Sequence, residues 1–363
     1  MEGKRIIITV SNNLVTDNRV AKISGYLEAI GWKPVLLGRR WPGGKIPEGR
    51  AGKIKRFNLL FNKGPLFYLE LNIRLFFYLL LNSCDRIWAV DLDTLASAIL
   101  ISKIRKIPVT FDSHEYFTEM PELQARPAVK WIWSQLERFL ITKADRCVTV
   151  SEGIRNIYKI KYGVDALLLR NVPNYPKQLH RLRELSDSPV VYYQGALNVG
   201  RGLVESIKAM LYLPNYFMLI VGAGDEQEEL QELVNHLQLT DRVIFTGALP
   251  FEELAVEAQK AHVGLCLLEN MGLNYYHSLP NRLFDYPALG LPIIATAFPD
   301  ISEIVTNYEI GLLLDNLEPQ NIAAAIKTAC EDESLREKWA LSLPACVKEL
   351  NWENECRVFE KLL

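Results

Sequence analysis

At 363 residues the chain has room for two domains with substantial cores, and its hydrophobic fraction of 49% and charged fraction of 23% are those of a globular protein. A net charge of −2 gives no global pull toward nucleic acid, so any charged partner must be met by a local patch. Six cysteines (Cys84, Cys147, Cys266, Cys330, Cys346, Cys356) form no CxxC pair and no metal-ligand spacing, which argues against a disulfide framework or a cysteine metal site.

The amino terminus, MEGKRIIITV, enters a strand within a few residues, without the charged and then long apolar segment of a signal peptide. A cytoplasmic protein is expected. The first half then alternates apolar strand-like runs with helical patterns, as a parallel sheet with crossover helices requires. Strands are expected at 5–10, 34–37, 86–90, 108–111 and 146–150, and helices at 19–30, 94–104, 128–141 and 152–161. Ligands of such sheets sit at the carboxyl ends of strands, where the loops SNNLVTDNRV, DLDT and DSHEYF emerge. His114 and Glu115 therefore fall at a candidate cleft, although a lone histidine is more often a satisfied structural residue than a catalyst.

Residues 31–63 carry nine basic side chains and one acid, Glu48, a local charge of +8. Next comes PLFYLELNIRLFFYLLL, Pro65 to Leu81, apolar except for Glu70, Asn72 and Arg74, and too short and too charged to span a bilayer comfortably. Two readings stay open: a peripheral contact with anionic membrane through residues 33–81, or a core helix preceded by a solvated charged loop.

The stretch 171–189, with three prolines and a shift to polar composition, reads as a linker. A second alternating series follows, with strands at 190–194, 217–221, 243–245, 262–268, 291–295 and 311–314. In GALNVGRG, Gly195 and Gly202 allow close approach of a ligand and Arg201 offers a fork of donors to oxygen anions. In VGAGDEQ, Gly222 and Gly224 supply two glycines of a dinucleotide fingerprint, but Gln227 stands where the third belongs. Between the strands at 262–268 and 291–295 runs NYYHSLPNRLFDYPALG. Pro280 suits the first turn of a helix there, the amides of Leu279, Asn281 and Arg282 would face outward, and Asp285 lies about one turn on. A phosphate at the helix start with a carboxylate nearby fits a nucleotide, and an ordinary capped helix fits the pattern as well.

Taken together, TDNRVAKISGYLEAIGWKPVLL, FDSHE, VTVSEGI, YQGALNVGRGL, VGAGDEQEELQELV, YYHSLPNRLFDYPALGLPIIAT and NWENECRVFEKLL resemble the retaining glycosyltransferases of family 4, glycosyltransferase group 1, over essentially the whole chain. The resemblance implies an α/β chain of GT-B architecture, two Rossmann-like doubly wound parallel-sheet domains facing a central cleft. An acceptor-binding domain is expected at 1–172, a linker at 173–189 and a nucleotide-sugar-binding domain at 190–343, with the helix at 344–363 packing back on the first domain. It implies transfer of a hexosyl group, with retention, from a nucleotide-diphosphate sugar to a hydroxyl of a glycan or lipid-linked acceptor, as in bacterial cell-surface polysaccharide or lipopolysaccharide synthesis.

By resemblance, His114, Arg201, Arg282 and Asp285 are catalytic, with Asp285 on the ribose and His114 on the donor sugar. Gly195, Gly202, Gly222, Gly224, His277, Ser278, Leu279, Pro280 and Asn281 line the donor site, and Asp17, Asn18, Arg19, Asp91, Asp93 and Glu115 lie on the acceptor side. His277 departs from the family's usual glutamate, and Ala196 stands where an arginine is usual, so Arg282 is expected to replace that missing cation. Asp91 and Asp93 spell a DxD, yet arginines already answer the phosphate charge, so no metal and no other cofactor is expected. The alternatives are a non-catalytic GT-B nucleotide-sugar-binding protein and a GT-B nucleotide-sugar epimerase.

Overall fold

The structure, a computed structural model, describes residues 3–41, 47, 49–183, 187–249 and 251–363, with only the backbone of Phe251 and Glu252. Lys45 and Glu48 of the basic segment lie outside the described residues. The chain divides into two compact units, Met1–Arg170 with Val358–Leu363, and Asn171–Arg357.

The first unit is a seven-stranded sheet of β1 (Arg5–Thr9), β2 (Lys33–Arg40), β3 (Lys53–Asn58), β4 (Arg86–Val90), β5 (Val109–Ser113), β6 (Arg146–Thr149) and β7 (Leu167–Leu168). Its order is β3-β2-β1-β4-β5-β6-β7 and every pairing is parallel. The helices are α1 (Asn18–Ala29), α2 (Gly64–Leu81), α3 (Leu92–Arg105), α4 (Pro121–Gln124), α5 (Pro127–Leu140) and α6 (Glu152–Tyr162). Ile6, Ile7 and Ile8 are all fully buried, because helices cover both faces of a central parallel strand. Right-handed crossovers put α2, α3 and α5 on one face and α1 on the other, and α3 touches both α2 and α5. The last turn of the chain joins the α1 face: Phe359 stacks on Trp88 at 5.3 Å and lies 4.8 Å from Tyr26.

The second unit is a six-stranded parallel sheet of β8 (Val190–Gln194), β9 (Phe217–Val221), β10 (Val243–Gly247), β11 (Val263–Cys266), β12 (Ile293–Thr296) and β13 (Gly311–Leu314), in the order β10-β9-β8-β11-β12-β13. Between and after them run α7 (Leu203–Ala209), α8 (Gln227–His236), α9 (Phe251–Ala258), α10 (Leu273–Tyr276), α11 (Arg282–Ala288), α12 (Pro299–Tyr308), α13 (Pro319–Glu331), α14 (Glu333–Glu349) and α15 (Trp352–Glu355). The closing α16 (Phe359–Leu362) belongs to the first unit. Each sheet reverses its winding once, between β1 and β4 in the first and between β8 and β11 in the second, and the loops on either side of a reversal leave a crevice at the carboxyl edge.

Four expectations change. Residues 344–357 belong to the second unit, and only the end of the expected 344–363 helix returns to the first. The 173–189 stretch is no free linker where it is described: Pro173 O accepts from Trp352 N, Glu353 accepts from Tyr175 N, and Arg183 donates to Gln259 O. The basic segment is not one surface, since Pro34 to Gly38 are buried in β2 and Lys53 to Asn58 form the edge strand β3, where lysines discourage pairing with another sheet. Pro280 precedes α11 rather than opening it; the turn starts at Pro280 O, which accepts from Leu283 N, and the helix itself begins at Arg282.

Candidate active site

In the second unit the reversal gathers the loops after β8, β11 and β12. Tyr286 locks α11 against them. Its ring fills the space left by Gly264, where a Cβ would come within 2.4 Å, and its hydroxyl accepts from Gln194 N and donates to Leu265 O. One turn back, Arg282 runs its side chain under the loop at Gly195. Its Nη2 donates to Leu267 O at 3.1 Å, and its guanidinium lies 4.9 Å from the Tyr193 ring centroid. The Tyr193 hydroxyl donates to Ala196 O at 2.8 Å, and a Cβ on Gly195 would stand 3.4 Å from Arg282 Nη1.

Arg282 is 5% exposed, yet its Nε has no partner and no carboxylate pairs with it among the described residues. Arg201 repeats the pattern, with its guanidinium 5.2 Å over the Tyr275 ring and its Nε buried and unpartnered. Burying a cation without a counter-charge is costly, so two such groups at one crevice are suited to an anion that brings its own oxygens. The amides of Leu279, Asn281 and Arg282 also have no hydrogen-bond acceptor among the described residues. Asp285 lies beside the end of β8, its Oδ2 3.4 Å from Gln194 Nε2. His277, at the end of α10, holds Asp300 Oδ2 at 2.8 Å through its Nδ1.

Two of the glycines read as ligand contacts have another reason to be there. A Cβ on Gly222 would lie 1.8 Å from Gly195 O and one on Gly224 2.3 Å from Leu197 O, so their missing side chains admit the neighbouring loop's backbone. Gly202 is left-handed, φ 63°, and packs on Leu267. Gly195 alone of the four has its Cβ position directed at a guanidinium. Ser278 Oγ is spent on Tyr275 O, Asn281 Oδ1 accepts from Asn171, and Leu279 packs on the core. A concavity lined by His180, Arg181, Gln259 and Leu291 lies at the opposite, amino-terminal edge of this sheet.

The first unit's crevice is built on Asp112, fully buried at the end of β5. It accepts from Arg19 Nη2 at 2.7 Å, Arg19 Nε at 3.3 Å and Trp88 Nε1 at 2.9 Å, and lies 3.2 Å from His114 Nε2. Asp91, in a left-handed conformation with φ 57°, accepts from His114 N at 3.0 Å and sets its second oxygen 3.9 Å from His114 Nδ1. Burial alone would raise Asp112 and lower His114, but the Arg19 guanidinium and the imidazolium hold the Asp112 carboxyl far below its usual range, while Asp112 and Asp91 lift His114 to about 9. Burial pushes Asp91 up to about 7 and Asp93 up to about 6, and Asp93 Oδ1 has no partner.

This arrangement reassigns several acceptor-side residues. Arg19 is 4% exposed and is consumed by Asp112 and Leu169 O, so it anchors the sheet edge and does not face a ligand. Asp17 caps α1 by accepting from Val20 N, its carbonyl receives Arg50, and Asn18 is the first helical residue. Glu115 is exposed, Asp91 is engaged by His114, and Asp93 is buried. Asp112, Asp300, Tyr193 and Gln194 were not foreseen as site residues. Asp112 stands inside FDSHE, next but one to His114, whereas nothing local marks Asp300. Among the described residues no group of three His, Cys, Asp or Glu side chains is arranged to hold a metal ion.

The two parallel sheets, each with a crevice at its reversal point, and the unpaired arginines at the second of them are features of a two-unit Rossmann-like α/β protein. The family model for glycosyl transferases group 1 matches residues 175–341 and that for glycosyltransferase family 4 matches residues 17–174. The chain belongs to this family of group 1 glycosyltransferases and has the GT-B fold. It is 29% identical over 196 residues to the lipopolysaccharide core biosynthesis glycosyltransferase LpsD of Rhizobium meliloti, covering 53% of this chain and 54% of that protein. The chain spans about half the length of the curated relatives it matches. Among solved structures, sucrose-phosphate synthase from Thermosynechococcus elongatus superposes with a TM-score of 0.77 at 19% identity, covering 99% of this chain and 98% of that one. Anabaena HepE in complex with UDP-glucose superposes with a TM-score of 0.76 at 16% identity, covering 99% of both chains. Likenesses at this identity speak to the fold.

The His114 pair has a pH signature. Its folded value of about 9 lies above the ordinary 6.5, so the stability it contributes is complete below about pH 6.5 and is lost as pH rises through about 9. The thermal midpoint of the wild-type chain should therefore fall more between about pH 7 and about pH 10 than that of His114→Gln; equal falls would remove the imidazolium from the account.

Proposed function

We propose that the chain transfers a hexosyl group from a nucleotide-diphosphate sugar to a hydroxyl of a glycan or lipid-linked acceptor, with retention at the anomeric carbon, in assembly of bacterial surface polysaccharide or lipopolysaccharide. The observation that carries this reading is Arg282, a buried guanidinium with an unpartnered Nε and no carboxylate, under the loop at Gly195. The UDP-glucose bound to HepE supports the class of donor, and the lipopolysaccharide core for which LpsD is named supports the class of acceptor.

Breaking the bond between the sugar and the diphosphate leaves negative charge on the β-phosphate, and groups that meet this charge more strongly in the transition state accelerate the step. Arg282 and Arg201 serve that purpose, Asp285 accepts from the ribose hydroxyls, and the departing phosphate oxygen takes the acceptor's proton on the same face. His114, charged at neutral pH, serves as a hydrogen-bond donor to sugar oxygens. The reaction needs no metal: the phosphate charge is met by guanidinium groups, while the DxD carboxylates are engaged by His114 or buried.

The acceptor class is supported by the outer face of the first unit. On α2, Phe67, Leu71, Leu75 and Leu79 face the sheet, while Leu66, Leu69, Ile73 and Phe77 are exposed. Leu100 and Ile104 on α3, and Trp131, Ile132 and Phe139 on α5, continue the exposed apolar surface on the same side. Lys63, Lys103, Arg126 and Arg138 are exposed around it. An apolar face with cationic surroundings matches an anionic bilayer surface, so the protein works peripherally on the inner face of the membrane.

Three measurements test these points. Arg282→Ala should lower turnover roughly a hundredfold, the scale of losing one charge-stabilising donor, and wild-type turnover in this variant would refute its role. EDTA should leave turnover unchanged, whereas loss reversed by manganese would show a metal requirement. The chain should sediment with phosphatidylglycerol vesicles but not with phosphatidylcholine alone, and Trp131→Ser with Phe139→Ser should release it; no sedimentation with either lipid would end the membrane reading.

A further inference from the structure

One pair at the second unit's carboxyl edge is left unexplained by charge neutralisation alone. His277 is the C-cap of α10 and Asp300 lies in the first turn of α12, at the end of β12. The side chains are 17% and 5% exposed, and 2.8 Å separates Nδ1 from Oδ2. Tyr276 meets the imidazole edge-on at 5.1 Å and is itself backed by Phe298 at 5.2 Å, so the ring is held from the side as well. Tyr275, two residues before His277, is the ring under Arg201.

A carboxylate can only accept, so the nitrogen facing it carries the proton. In the neutral imidazole the other nitrogen is then a bare acceptor, and His277 Nε2 has no partner among the described residues. An imidazole so held does at its far end what a carboxylate would do, accepting a hydrogen bond from a hydroxyl. It does so with a neutral ring in place of a carboxylate.

We propose that Asp300 is a positioning residue that locks His277 in the Nδ1–H form, so that Nε2 accepts a hydrogen bond from a hydroxyl of the donor's sugar. This rests on the donor-site reading above, and separates from it experimentally. Asp300→Asn is nearly isosteric and can turn its amide N–H toward Nδ1, which moves the imidazole proton to Nε2 and converts the acceptor into a donor.

Dissociation constants by calorimetry are the readout, with UDP and UDP-glucose, and GDP and GDP-mannose, as probes. The wild-type chain should bind one of these pairs. Asp300→Asn should bind the matching nucleoside diphosphate as before but the sugar nucleotide about tenfold more weakly, the scale of one hydrogen bond. His277→Glu placed in the Asp300→Asn background should restore the sugar nucleotide's affinity, since glutamate accepts in either orientation. If Asp300→Asn shifts only the thermal midpoint and leaves both affinities unchanged, the pair merely ties α10 to α12 and the proposal fails. It fails equally if the glutamate variant does not rescue. Absence of binding of both diphosphates to the wild-type chain would instead remove the donor site itself.

Discussion

A parallel strand must be re-entered from the same end each time, so every strand in these sheets leaves the core at one edge. The loops that carry charge therefore share that edge, and where the winding reverses they part to leave a crevice. Arg282, Asp285 and His277 reach the second crevice from one connection, β11 to β12, while Gly195 and Arg201 reach it from the connection after β8. In the first unit the same rule brings Asp91 from the end of β4 to His114 just after β5.

The two crevices handle buried charge differently. Around Asp112, two cations face two carboxylates: Arg19 and His114 against Asp112 and Asp91. Such a network is balanced within the protein, and it holds His114 through its Nε2 and its backbone amide, leaving Nδ1 3.9 Å from Asp91 and beyond hydrogen-bond distance. Around Gly195 no carboxylate pairs with Arg282 or Arg201 among the described residues, the electrostatic state expected of cations completed by a ligand. The left-handed Asp91 has a related explanation. Its backbone accepts an unfavourable conformation, and the carboxylate gains the His114 amide and ring as partners.

The glycines show how local pattern and tertiary use diverge. In sequence, Gly222 and Gly224 resemble phosphate-contacting glycines; in the fold they lie against the carbonyls of Gly195 and Leu197. Close approach was the right physical reason for glycine there, but the approaching group is another loop. Likewise the apolar run from Pro65 to Leu81 is a helix on any reading, but only packing tells that Leu71 and Leu75 are inside while Leu69 and Ile73 are outside.

By itself the sequence determined what depends on near neighbours along the chain. The period of apolar residues located β8, β9 and β13 to the residue, and the turn chemistry placed Arg201, Arg282 and Asp285 on loops or first turns after strands. Pattern also marked His114 as a residue at a strand end. Only the tertiary structure decided which of these side chains have partners. Arg19 meets Asp112 across 93 residues and His277 meets Asp300 across 23, and strand order, which no local period encodes, sets both encounters. Side-chain contacts of that kind are fixed by which strands lie side by side, and they decide whether a buried charge is already satisfied or still requires a ligand.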